Sequence, residues 1–425
     1  MTAGDTLKTL REARPQLEDA VRIGPGLWDG GSRRFVLHDS RTGWYFRIGE
    51  YEHFLVSRMD GVRTVDQLED EFIDHYERRL SEPLWQSILS LLGQRGLLVG
   101  SATPVQLQSL RDARERERGE SRTWLHARMP IVRADGILRR MAAGVRLVDH
   151  PAVWVLVWLA TSALVVHVIL NWASIWPAAR SLWTDPVAII VFVVIMWASL
   201  VLHELAHGVT AWAYGARDIE IGVMWRLPFF SPYCKVDDTM LFHDRSRRVR
   251  VALAGVTVSV AVCLPFWLLS LLVTEGSFAT VCAAMMTFGL LTGLINLVPL
   301  FHMDGYYVLM HALGAFDLEA SSRAALTRLV RRNGASEDRS GGQRTAFLVY
   351  GAASLLLMTA MVLAFSIAGF FALRPLLGPE VAAYAVCAGV LMTFAFGILL
   401  TRRTRAKRDA QAGTRIPIST KWGQT

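Results

Sequence analysis

From residue 151 onward the chain is dominated by apolar stretches, at 151–174, 186–214, 249–273, 278–300, 345–372 and 380–401. Each is long enough to cross a bilayer as a helix, because about 20 apolar residues rising 1.5 Å apiece match the hydrocarbon thickness. Only a helix or a closed barrel satisfies its own backbone at that depth, and these runs lack the alternation of barrel strands. With 52% hydrophobic residues and a mean hydropathy of +0.31, an ordinary soluble enzyme is excluded. The expected fold class is a polytopic α-helical membrane protein of about six transmembrane helices, occupying 149–401.

The basic residues orient these spans. The connections after spans two and four carry Arg217, Arg226, Lys235, Arg245, Arg247, Arg248 and Arg250, then Arg323, Arg328, Arg331, Arg332 and Arg339. The tail at 402–425 adds Arg402, Arg403, Arg405, Lys407 and Arg408, whereas the other three connections hold only Arg180 and Arg374. The positive-inside rule then predicts a multi-pass protein of the cell inner (plasma) membrane with both termini cytoplasmic. The net charge of +8 is accounted for by these juxtamembrane runs, and no nucleic-acid partner is expected. The N-terminus has no apolar core of the signal-peptide kind. Cys234, Cys263, Cys282 and Cys387 are scattered without a CxxC pair, so neither a disulfide framework nor a cysteine zinc site is indicated.

Residues 1–100 read as a small cytoplasmic α+β, winged-helix-like domain. Phe35/Leu37 and Trp44/Phe46/Ile48 alternate on either side of Asp39-Ser-Arg-Thr-Gly43, a hairpin signature. Three helices follow: one with Phe54, Leu55 and Met59, one opening at a Thr64/Gln67 capping box, and one starting at Ser81-Glu-Pro83 and ending at Gly96. Residues 101–148 read as a charged linker followed by an amphipathic helix at Ile131–Val148 lying on the membrane surface.

The chemistry concentrates on spans two and four. Span two ends in Leu200-Val-Leu-His203-Glu204-Leu-Ala-His207-Gly208. Two imidazoles four residues apart share one helical face with a carboxylate beside them, the arrangement of a zincin. Three ionisable residues in an apolar span are costly, and a metal ion is a physical reason to keep them. Zinc in a catalytic site needs a third protein ligand and an open position for water. Span four ends in Asn296-Leu-Val-Pro299-Leu-Phe-His302-Met-Asp304-Gly305, where the proline and Asp-Gly break the helix. Spans two and four run in the same direction, so Asp304 arrives at the same membrane face as His207. His302 and His311 are rivals to Asp304 on chemistry alone. Ile219–Asp238, interrupted by Pro228 and Pro232, predicts a membrane-associated hairpin offering an edge to an extended substrate. His167 and Asn171 in span one read as packing or cavity residues rather than ligands.

The HELAHG motif and the NxxP...DG motif about a hundred residues later resemble the site-2 protease family of intramembrane zinc metalloproteases. That resemblance implies zinc held by His203, His207 and Asp304, with Glu204 as the catalytic base. It also ranks Asp304 above the two rival histidines. Asn296 then has two readings, a contact to the substrate or developing oxyanion and a helix-packing amide. Pro232-Tyr-Cys234-Lys-Val-Asp-Asp, the Arg247-Arg-Val-Arg-Val-Ala-Leu-Ala-Gly255 entry to span three and the N-terminal domain resemble a bacterial subgroup of peptide zinc metalloproteases. Many relatives read AGPxxN where this chain has Ala254-Gly255-Val256-Thr-Val-Ser259, and DGG where it has Asp304-Gly305-Tyr306. The N-terminal stretch from Phe46 to Val65 resembles PqqD-like domains, which implies a peptide ligand at the hairpin edge near Trp44–Ile48. The implied function is zinc-dependent endoproteolysis of a membrane protein or peptide substrate. The alternative is a non-proteolytic membrane component of a peptide maturation or export system, with an export adaptor subunit as partner.

Overall fold

A computed structural model describes residues 11–30, 32–120, 126–133, 150–226, 229–300, 302–331 and 341–393, with single positions at 136, 138, 140, 141 and 395. The N-terminal sheet is built on β3 (Ser32–Asp39), which pairs antiparallel with β1 (Val21–Ile23), β2 (Leu27–Asp29) and β4 (Trp44–Ile48). The β3–β4 turn closes because Asp39 takes hydrogen bonds from the Arg41 backbone at 3.0 Å and the Thr42 hydroxyl at 3.1 Å. Gly43 supplies the positive φ of 70° that this turn requires.

Alternation on β3 sends Phe35 and Leu37 into a core shared with α1 (Glu50–Val56), α2 (Val65–Tyr76) and α3 (Glu82–Gln94). Phe54, Leu68, Phe72, Trp85 and Ile88 fill it. Phe72 is fully buried, and truncation to Ala at such a site costs about 3–5 kcal/mol. Thr64 and Gln67 form the reciprocal capping box that starts α2. The charged run forms α4 (Pro104–Glu120), anchored to the hairpin where Trp44 Nε1 donates to the Leu110 carbonyl at 3.0 Å.

The sheet does not stop at residue 100. β2 pairs in parallel with β8 (Ala315–Asp317), so residues beyond the fourth span complete it. Trp28 is correspondingly buried against Tyr306, Met310, Leu318 and Phe347.

A second sheet takes the first residues of the expected interfacial helix. Residues 131–133 belong to β5 (His126–Arg133), paired antiparallel with β6 (Ile219–Arg226), which pairs in turn with β7 (Phe229–Val236). Pro130 lacks the N–H a ladder needs, and the register shifts between Pro130 and Val132. The β-branched pair Ile131-Val132 favours the strand. The rest of the expected helix, 134–148, lies outside the described residues apart from 136, 138, 140 and 141, which are helical.

Among the described residues, five helices are long and apolar enough to cross a membrane: α5 (Pro151–Leu170), α7 (Pro186–Ala213), α8 (Arg245–Ser270), α9 (Gly276–Ile295) and α12 (Gly342–Leu377). Between α5 and α7 lies a short helix, α6 (Trp172–Arg180). The chain is thus a helical membrane protein with a small N-terminal sheet region. The expected sixth span corresponds to the shorter apolar helix α13 (Pro379–Thr393), beyond which only residue 395 is described. Asp185 caps α7 by accepting from the Val187 and Ala188 amides, and Asp244 caps α8 through the Ser246 amide. Leu164, Ile175, Leu182, Val260, Met285 and Leu290 form the core between these spans. A π-helical segment, Met285–Gly289, lies within α9, a defect common near functional sites. The membrane window of α12 is not buried by the rest of the chain. Its opening turns instead hold Phe347 in the Trp28 cluster, next to α10 (Asp304–Leu313) and α11 (Leu318–Arg331).

Candidate metal centre

On α7 the four-residue spacing stacks His203 one turn before His207, with both rings directed toward α8 and the start of α10. Helix α9 ends at Ile295, and the chain turns through Asn296–Met303 before α10 begins at Asp304. This turn is tight. The Gly305 amide donates to the Asn296 carbonyl at 2.7 Å, and a Cβ on Gly305 would lie 2.0 Å from the Leu297 carbonyl oxygen. Only glycine permits that approach, and it is what carries the neighbouring Asp304 to the histidines.

The three side chains converge. His203 Nε2 lies 3.0 Å from Asp304 Oδ2, His207 Nε2 lies 3.4 Å from Asp304 Oδ1, and the two Nε2 atoms are 3.3 Å apart. One ligand atom from each falls within 4.8 Å of the others, so the triad could hold a metal ion.

The far side of each ring has a partner on α8. His207 Nδ1 is 2.7 Å from the Val251 carbonyl oxygen, which can only accept, so that nitrogen carries a proton. His203 Nδ1 is 2.9 Å from Ser259 Oγ. When His203 takes the same tautomer, with Ser259 as its acceptor, two Nε2 lone pairs and a carboxylate face one another; among the described residues the buried Asp304 Oδ2 receives no hydrogen bond. Such a set repels itself unless a cation lies between its members. Two imidazoles and a carboxylate form a usual donor set for zinc with one position left open.

Helix α8 makes room for the site at Gly255, where a Cβ would sit 2.3 Å from His207 Nε2 and 2.7 Å from His203 Nε2. Glu204, on the same helix as the histidines, turns to β7, where its Oε2 accepts the Cys234 N–H at 2.8 Å. Gly208 leaves space for the Cys234 side chain, since a Cβ there would be 2.9 Å from Sγ.

The rival ligands lie elsewhere. His302 is exposed, has a positive φ of 57° and packs its ring against Tyr306 at 4.6 Å. His311 is buried two turns along α10, outside the cluster, and its pKa falls to about 3 through desolvation and the nearby Arg248 charge. Asn296 contributes its carbonyl to the Gly305 turn, and its side chain makes no hydrogen bond among the described residues. Asn171 donates to the His167 carbonyl at 2.9 Å, a local contact in span one.

Sequence reasoning gave no role to the Val251 carbonyl, Gly255, Ser259 or the Cys234 amide. Two of these are backbone groups and carry no residue signature. The spacing of 251, 255 and 259 by four on one helix was the available signal. No family model, curated protein or solved structure matches this chain.

Proposed function

We propose that this protein is a zinc-dependent membrane endopeptidase of the site-2 protease type, with His203, His207 and Asp304 as ligands and Glu204 as the general base. The observation that carries the reading is the inward convergence of two Nε2 atoms and a carboxylate within 4.8 Å of one another, with a further carboxylate, Glu204, adjoining them in sequence. Bound zinc would supply Lewis-acid polarisation and lower the pKa of a water. Glu204 takes the water proton and returns it to the leaving amine. Its Oε2 is held by the Cys234 amide, which leaves Oε1 for proton transfer.

The Cys234 N–H points toward α7 rather than along the β6–β7 ladder. The outer side of β7 therefore adjoins the site, and a substrate unwound to an extended form is accommodated there as an added strand. Unwinding is necessary, because a helical peptide bond is hydrogen-bonded and shielded. At the N-terminal sheet β4 has β3 as its only strand partner among the described residues, which leaves an edge for a peptide ligand. The charge asymmetry of the connections supports a site at the cytoplasmic face.

The test is zinc content and cleavage of a membrane-tethered reporter peptide by the purified protein in detergent. About one zinc per chain with chelator-reversible cleavage supports the proposal. Zinc without cleavage of any substrate supports the non-proteolytic membrane component instead, and absence of zinc overturns both.

A further inference from the structure

We infer that Ser259 is the positioning residue of His203, accepting the Nδ1 proton of the ring and so aiming Nε2 at the cation. The inference rests on the zinc-site reading above.

Hydroxyls in these spans usually bond a carbonyl one turn back in their own helix. Thr161 donates to Val157 at 2.8 Å, Ser162 to Trp158 at 2.8 Å, Thr257 to Leu253 at 2.9 Å and Thr292 to Phe288 at 2.7 Å. Ser259 instead meets His203 Nδ1 on the neighbouring helix at 2.9 Å. A ring bound to a cation through Nε2 has its only proton on Nδ1, so the Ser259 oxygen is the acceptor in that state.

The placement is enforced from behind. Gly293 of α9 lies so close that a Cβ there would come within 3.3 Å of Ser259 Cβ and 3.2 Å of Val260 Cγ1. One face of α8 thus supplies three things at four-residue intervals: the Val251 carbonyl for His207, the side-chain gap at Gly255 for both rings, and the Ser259 hydroxyl for His203. The two imidazoles are oriented by unlike acceptors. The carbonyl survives any substitution at its position, whereas the hydroxyl depends on residue 259 being polar. Outer partners of this kind orient a metal-bound histidine and raise its basicity, and their loss typically lowers metal affinity about 10- to 100-fold.

The experiment uses the full chain in detergent, with zinc affinity measured by competition against a chromophoric chelator and the thermal midpoint measured on the zinc-free protein. Ser259→Ala, and Ser259→Cys, which keeps the volume but offers a poor acceptor, should each bind zinc about 10- to 100-fold more weakly. Ser259→Thr should stay near wild type, and the zinc-free midpoints should not change. Wild-type affinity in Ser259→Ala would overturn the assignment. So would weak binding in Ser259→Ala alone, matched by a lowered zinc-free midpoint and normal affinity in Ser259→Cys, since that pattern means packing. A wild-type protein that binds no zinc would overturn the metal site itself. Zinc bound equally by wild type and Ser259→Ala would overturn only the role of Ser259.

Discussion

The Tyr45 hydroxyl donates to Asp238 Oδ1 at 2.7 Å, joining the N-terminal hairpin to a residue 193 positions later. Asp238 closes the β6–β7 segment, and its Oδ2 accepts the Arg217 amide at 2.7 Å and the Asp218 amide at 3.2 Å. Four residues before it, Cys234 holds Glu204. A short covalent path therefore connects the docking of the N-terminal sheet to the orientation of the candidate base.

Tyr45→Phe removes one donor from a buried carboxylate and keeps the ring that stacks on His38 at 4.2 Å. Hydrogen bonds to charged groups contribute about 1.5–3 kcal/mol. The variant should lose about that much stability at the interface, seen as faster amide exchange in β4 and at Asp238. Unchanged exchange in both would show that this hydrogen bond does not hold the two parts together.

His38 gives the same interface a pH dependence. Its ring is buried, neither nitrogen has a hydrogen bond among the described residues, and Asp238 Oδ1 is 3.8 Å away. Burial lowers its pKa, opposed by Asp238, Asp218 and Asp39 and assisted by Arg22. A histidine with a depressed folded pKa favours the folded state above its unfolded pKa of about 6.5, and that preference fades as pH falls below it. Docking should loosen as pH falls below about 6.5, by at most about 1.4 kcal/mol per pH unit. Exchange of the hairpin amides at pH 7.5 and 5.5 measures this, and His38→Phe should flatten the dependence.

Asp304→Ala should reduce zinc stoichiometry below half of wild type, because it removes one of three protein ligands. His302→Ala should bind zinc normally, since that ring lies on Tyr306. The opposite pattern in chelator-washed protein would assign the third ligand to His302.

The spans place 181 and 276 on the side opposite the metal centre, and Ser181 Oγ lies 3.2 Å from Thr280 Oγ1, so these connections share one end of the bundle. Single cysteines at Ser181 and Gly276 should react with an impermeant reagent added outside cells, and one at Ser336 should not. Labelling at Ser336 alone would invert the topology.

Much of this was legible because it is local. Apolar run length reveals a span, a four-residue histidine spacing shows a shared face, and the Thr64/Gln67 capping box lies within one turn. The β3–β4 hairpin could be read from alternation around Asp39-Ser-Arg-Thr-Gly43. What was missed depends on distant partners. Ile131–Arg133 suits an amphipathic helix as well as a strand until β6 lies beside it. The parallel β2–β8 pair joins strands of three residues, too short to declare themselves. Asp304 stood level with His302 and His311 on chemistry alone, and the Gly305 turn against Leu297 is what separates them in space.

The central claim is that Glu204 acts on a water at a zinc held by its neighbours, and Glu204→Gln tests it most directly. Zinc content and reporter cleavage should be measured side by side on the purified wild type and variant. The account predicts equal zinc in both, cleavage by wild type, and a loss of at least about 100-fold in the variant, the scale of general-base catalysis. Undiminished cleavage by the zinc-loaded variant would contradict it.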